Sequence, residues 1–225
     1  MSGGRFVTFE GGEGAGKSTQ IERLLRRLDN AGIKVLATRE PGGSPKAERI
    51  RSSVLAGAAK SLGPFAEALL FSAARIDHLR ETIRPALARG LVVLCDRFAD
   101  STRAYQGVLG DLDPVLIRAL ERTVLGDTRP DLTFILDVPA EIGLARAARR
   151  RAAGQSADRF ETENPAFHSK LREAFLAIAR EEPGRCVVID GYRDAEAIEA
   201  DIWRVLSDRV LPGLLAAPRM SMADG

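Results

Sequence analysis

The sequence predicts an α/β fold, a five-stranded parallel sheet flanked by helices on both faces with a mobile basic lid, on three observations. Short apolar runs, often β-branched and bounded by turn residues or charges, recur five times along the chain. Longer amphipathic stretches of helical period separate them, and strands alternating with helices indicate a doubly wound sheet. A cluster of arginines lies between two of the later helical stretches.

Taken in order, strands are expected at 6–10, 35–38, 91–96, 132–137 and 187–190. Their apolar character suits strands buried on both faces. Helices are expected at 18–30, 45–55, 65–89, 114–125, 140–150, 165–182 and 195–210. Ligands of such sheets bind at the carboxyl ends of the strands. Three segments break the order: a rigid turn, Glu40-Pro41-Gly42-Gly43-Ser44-Pro45, a flexible basic loop over 150–157, and a frayed tail beyond Pro212. One catalytic domain is therefore expected over 1–211, with the lid at about 149–160 and the tail at 212–225.

The 33 basic and 31 acidic residues nearly cancel to +2. That balance calls for neither nucleic acid nor a membrane surface as partner. No apolar run approaches the roughly 20 residues that span a bilayer, and residues 1–5 lack a signal-peptide layout. Cys95 and Cys186 each sit in an apolar run, as packed, reduced thiols of a cytoplasmic protein would.

Gly11-Gly12-Glu13-Gly14-Ala15-Gly16-Lys17-Ser18, followed by Thr19, satisfies the phosphate-loop pattern G-x-x-x-x-G-K-[ST] between a predicted strand and a predicted helix. Glycines let the backbone turn its N–H groups onto phosphate oxygens, and the helix N-terminus adds positive potential. In this pattern Lys17 reaches the β- and γ-phosphates and the Ser18 hydroxyl faces Mg²⁺. The loop alone leaves GTPases, helicases, motors and kinases open. No N-K-x-D run, the usual guanine reader, occurs. Helicases and motors are usually larger, so a compact chain with a late basic loop suggests a small-molecule kinase; an ATP-binding regulatory or assembly protein is the alternative from another class.

Further runs appear in order: Thr38-Arg39-Glu40-Pro41-Gly42-Gly43, Leu70-Phe71-Ser72-Ala73-Ala74-Arg75, Asp96-Arg97-Phe98 followed by Ser101-Thr102 and Ala104-Tyr105-Gln106-Gly107, and Arg129-Pro130-Asp131-Leu132-Thr133. With the phosphate loop, they make the chain resemble the bacterial thymidylate kinases from about Arg5 to about Val210. The resemblance implies a P-loop kinase fold, Mg²⁺-dependent transfer from ATP to dTMP in dTTP biosynthesis, and a homodimer. The rival within the class is a P-loop kinase with a different nucleotide or nucleoside as acceptor.

The same resemblance assigns roles. Asp96 helps Ser18 organise Mg²⁺, and Arg97 clamps the acceptor phosphate with Arg39 as a second arginine. Both arginines end strands, and their planar forks suit phosphate. Phe71 and Arg75, four apart, share one helix face. On spacing alone Phe71 reads as core, whereas the resemblance stacks it on thymine and turns Arg75 to a ring carbonyl. Thr102 and Tyr105 read locally as a cap and a packing residue. The resemblance sets Thr102 near the base and Tyr105 against the sugar 2′ position, with Ser101 and Gln106 in the same pocket. Glu13 is a costly carboxylate in a phosphate loop, and the resemblance gives it the acceptor 3′-hydroxyl.

Arg146, Arg149, Arg150 and Arg151 read by composition as a solvated face. Some thymidylate kinases carry a catalytic arginine within the P-loop, where this chain has Gly14. In the other type the lid supplies it. The expectation here is Arg149 or Arg151, assisted by Arg159.

Overall fold

The computed structural model describes residues 3–152 and 159–212, apart from the Arg159 side chain. Strands β1 (Arg5–Glu10), β2 (Val35–Arg39), β3 (Val92–Asp96), β4 (Leu132–Asp137) and β5 (Cys186–Asp190) form one sheet in the order β2-β3-β1-β4-β5. Every pairing is parallel. Strands β2 and β3 lie on one side of β1 and β4 and β5 on the other, so the ligand crevice of this topology opens above the carboxyl end of β1. The register sets Asp96 opposite Phe9 of β1 and opposite Arg39 of β2. Three functional segments thus leave the sheet at one level.

Strand alternation sorts the core into two faces. Val7, Phe9, Leu94, Phe134 and Leu136 pack under α1 (Lys17–Asn30) and α9 (Ala195–Arg209), meeting Leu24, Leu28, Ile202 and Leu206. On the other face Phe6, Val93 and Cys95 meet Leu79, Ile83, Phe98 and Leu125. Ile135 and Cys186 meet Leu171, Phe175 and Ile178 of α8 (Pro165–Glu181). Coverage of both faces explains why the central strands β1, β3 and β4 are mainly apolar, whereas the edge strands β2 and β5 are partly exposed. Each large side chain buried this way stabilises by about 1.5–3 kcal/mol. Burial pushes the Cys186 thiol up to about 12 and that of Cys95 well above its ordinary value, which keeps both protonated.

The remaining helices are α2 (Pro45–Leu55), α3 (Gly63–His78), α4 (Arg84–Ala88), α5 (Ala99–Thr102), α6 (Pro114–Leu125) and α7 (Ala140–Ala152). The single helix expected over 65–89 is interrupted by a π-helical turn at Leu79–Ile83. Pro85 has no N–H to give the carbonyl four residues back, and the widened turn ahead of it absorbs the mismatch. A second π-helical segment, Arg103–Leu109, extends α5 where no helix was expected. The loop expected from residue 150 begins later, because α7 continues through Ala152 and carries Arg149, Arg150 and Arg151 on helix. The rest of that loop, 153–158, and the tail at 213–225 lie outside the described residues. Among the described residues no single helix is long and apolar enough to cross a membrane.

Candidate active site

A cleft of about 400 Å³ opens at the carboxyl ends of β1 and β3. The phosphate loop from Glu13 to Thr19, Arg39, Phe71, Arg75, Asp96, Arg97, Ser101, Thr102, Tyr105 and Gln106 all line it. At its donor end, Gly16 takes a left-handed conformation (φ 94°) as N-cap of α1, with no side chain capping the helix. The first N–H groups of α1 therefore face the loop, as an anion site needs. Thr19 is exposed on the first turn. The Lys17 ammonium folds back to donate to the carbonyls of Gly11 (3.1 Å) and Gly12 (3.0 Å). Burial and the Arg97 charge lower its pKa, against the pull of Asp96, Glu13 and Glu10. Ser18 Oγ donates to Asp96 Oδ2 at 2.7 Å.

The acceptor end starts at Arg97, which follows β3 at φ 66°. A left-handed arginine costs on the order of 1–3 kcal/mol, and its surroundings hold it there. Its N–H donates to Phe9 O, and its guanidinium donates to Gly11 O, Ser101 Oγ and, at 2.6 Å, Glu13 Oε1. Tyr105 Oη donates to the same carboxylate oxygen at 2.8 Å. Burial alone would raise the Glu13 pKa, but Arg97, Lys17 and the Tyr105 hydroxyl outweigh it and hold it at about 2. The carboxylate in the phosphate loop is thus compensated by the residues expected on the acceptor side.

Deeper in the cleft, Phe71 is half-buried and lines the wall. Arg75 is buried, with Nε on Glu40 Oε2 (2.6 Å) and Nη2 on Phe98 O and Thr102 Oγ1 (3.1 Å each). Glu40 Oε1 meets His78 Nδ1, and His78 Nε2 meets Thr38 Oγ1. Gln106 donates to Glu67. Tyr105 also packs edge-on to Phe160, with centroids 4.9 Å apart. Arg39, more exposed at the rim, is held by Glu48 at 3.2 Å.

A family model described as thymidylate kinase matches residues 9–202. The chain belongs to the thymidylate kinase family. A thymidylate kinase of Nitrobacter hamburgensis is 60% identical over 208 residues, covering 92% of this chain and 90% of that one. One of Bradyrhizobium diazoefficiens is 59% identical over 209 residues, covering 93% and 91%. The crystal structure of thymidylate kinase from Ehrlichia chaffeensis matches with a TM-score of 0.73 at 35% identity, over 91% of this chain and 99% of that chain.

For a thymidylate kinase, the glycine at position 14 has a structural cause. Gly14 sits at φ 65°, and a Cβ there would lie 2.0 Å from the backbone oxygen of Gly143 in α7. A Cβ on Gly143 would in turn meet Glu13 O at 2.3 Å. The phosphate loop and the lid helix therefore touch backbone to backbone.

The lid helix delivers Arg150 to the cleft wall, beside Phe160 and Glu161. Arg149 and Arg151, the arginines favoured from sequence, do not line it. Arg149 is exposed, and Arg151 pairs with Glu161 at 2.8 Å, an oxygen pair that Arg150 approaches at 3.8 Å. The Arg159 side chain lies outside the described residues. Sequence reading also missed Glu10, Glu40, His78 and Arg51, the last of which lines the cleft and donates to Pro41 O. Glu10 is fully buried at the end of β1. Burial and the Asp100 charge push its carboxyl up to about 7, although Arg97, Ser101 and Phe98 favour the ionised form.

Thymidylate kinases use ATP with a divalent metal. Among the described residues no group of three or more His, Cys, Asp or Glu could hold one. The oxygen pair of Ser18 and Asp96 fits instead a cation that keeps waters and takes phosphate oxygens as ligands, which is the habit of Mg²⁺.

Proposed function

We propose that this chain works by direct in-line transfer, with no covalent enzyme intermediate, the 5′-phosphate of dTMP attacking the γ-phosphorus of ATP as ADP leaves. Membership of the family makes it a nucleoside monophosphate kinase that phosphorylates dTMP to dTDP. The observation that carries the mechanism is the Arg97–Glu13–Tyr105 cluster, which joins the donor loop to the acceptor wall of one cleft.

Residues 11–19 wrap the triphosphate. Lys17 exchanges its two loop carbonyls for β- and γ-phosphate oxygens, and Ser18 with Asp96 would hold Mg²⁺, which would offset phosphate charge. Arg97, with Arg39 at the rim, clamps the acceptor phosphate in line. Phe71 stacks on thymine while Arg75 and Thr102 read its edge. Tyr105 crowds the 2′ position and, with Ser101, Gln106 and Glu13, seats the sugar. Arg150, with Arg149, Arg151 and Arg159 on the same lid, brings positive charge to the transferring phosphoryl group and helps exclude water. Positioning and charge stabilisation are most of what this reaction needs.

The chain acts as one catalytic domain with a lid at about 149–160, as a homodimer in the cytoplasm. The dimer surface is the face of α3 and α6 where Phe65, Leu69, Ile76, Val115 and Leu116 are exposed. Coupled measurement of ADP release with dTMP, dUMP, UMP, dCMP and AMP tests the reading. dTMP is expected to be the best acceptor, and equal turnover with dCMP would sink the roles given to Phe71 and Arg75.

A further inference from the structure

The Glu10 side chain hydrogen-bonds none of the residues proposed to meet ATP or the thymine base, yet it is fully buried and has both oxygens engaged. Oε1 accepts from the backbone N–H groups of Phe98 (2.7 Å) and Ser101 (3.2 Å). Oε2 accepts from the Ser101 hydroxyl at 2.7 Å. Phe98 directly follows the left-handed Arg97, so the first bond pins the turn that aims the arginine. The Ser101 hydroxyl, having given its proton to Glu10, presents a lone pair to Arg97 Nη1 at 3.3 Å.

We propose that Glu10 is a positioning residue for the acceptor phosphate: from the end of β1 it fixes the Arg97 turn and orients Ser101 so that the guanidinium is held toward the phosphate. The inference rests on the reading of Arg97 as the phosphate clamp. A carboxylate is required because all three of its partners donate. In Glu10→Gln, Oε1 keeps the two backbone bonds, since the reversed amide would set its NH₂ against two N–H donors. The new NH₂ must then donate to Ser101 Oγ, so the hydroxyl loses the acceptor for its proton and its orientation toward Arg97 is no longer fixed.

The test, at about pH 8.5 so that the Glu10 carboxyl, pushed up to about 7, is ionised, compares dTMP with thymidine, which lacks the phosphate, as calorimetric ligands for the full chain. Glu10→Gln is expected to weaken dTMP binding roughly tenfold, as loss of a hydrogen bond to a charged group does, and to leave thymidine within about twofold. An unchanged dTMP affinity, or equal losses for both ligands, overturns the proposal, the latter because it marks a general structural role. If Glu10→Gln does not fold, Ser101→Ala decides: because Ser101 also seats the sugar, it is the loss of dTMP affinity beyond any loss for thymidine that counts. Ser101→Ala removes the hydroxyl link and keeps both backbone bonds to Glu10. Arg97→Ala separates the two levels. If it leaves dTMP affinity unchanged, the clamp reading fails and the inference with it. If it weakens dTMP while Glu10→Gln and Ser101→Ala do not, only the inference fails.

Discussion

Glu13 and Arg97 stand 2.6 Å apart, one in the phosphate loop and the other just past β3. Both are largely buried, and each offsets a charge that the site would otherwise hold at a cost. Donor loop and acceptor clamp are therefore joined through Glu13 and Arg97, and loss of either partner leaves the other's buried charge uncompensated.

This pair sets an acid dependence. The Glu13 pKa falls from an ordinary 4.5 to about 2, because Arg97, Lys17 and Tyr105 overcome the effect of burial. A depressed carboxyl contributes stability that is full above 4.5 and is lost as pH falls through about 2. The contribution is on the order of 3 kcal/mol. Urea midpoints measured from pH 7 to pH 2 should fall for the natural chain across that window. The Glu13→Gln variant should start lower and change less.

Lys17→Ala should remove the charge on the β- and γ-phosphates without disturbing the acceptor wall. Turnover is expected to drop by at least about a thousandfold. The dTMP dissociation constant should stay within about threefold. Calorimetry with dTMP alone, beside a steady-state assay, checks both halves, and a large loss of dTMP binding would assign Lys17 a structural role.

Among the lid arginines, Arg150 lines the cleft while Arg149 is exposed outside it. Arg150→Ala should lower kcat by about 100-fold with little change in dTMP affinity, and Arg149→Ala by less than about threefold. Single-turnover rates with saturating ATP distinguish the two. Equal effects would mean that the lid acts through its summed charge.

The dimer surface proposed above rests on exposed apolar residues of α3. Ile76 and Leu69 are 52% and 45% exposed. The double change Leu69→Glu with Ile76→Glu should shift sedimentation from dimer to monomer while circular dichroism is preserved.

The sheet and the phosphate loop were legible because their signals are local. Lys17 and Ser18 lie within one contiguous motif, and Asp96 and Arg97 end an apolar run. Glu10 also ends an apolar run, but nothing local tells what it or Glu40 binds, since their partners lie 88 to 91 and 35 to 38 residues away. Glu40 stood in a turn motif, where a carboxylate reads as ordinary. Choosing among Arg149, Arg150 and Arg151 required the rotational phase of α7, since neighbouring residues on a helix point about 100° apart. That phase is fixed by packing against the phosphate loop, and the run of arginines does not contain it. The π-helical segment at Arg103–Leu109 was hidden for a similar reason, because its wider register arises where Tyr105 and Gln106 meet Glu13 and Glu67.

The contact between Gly14 and Gly143 bears on how such an enzyme can be rebuilt. An arginine grafted at position 14 would strike the α7 backbone before it reached a phosphate. Gly14→Arg alone should therefore impair the enzyme rather than provide a second source of catalytic charge. Chimeras that exchange the loop and α7 together should tolerate the exchange better than those that trade either one. The two segments, about 130 residues apart in sequence, behave as a single interchangeable part.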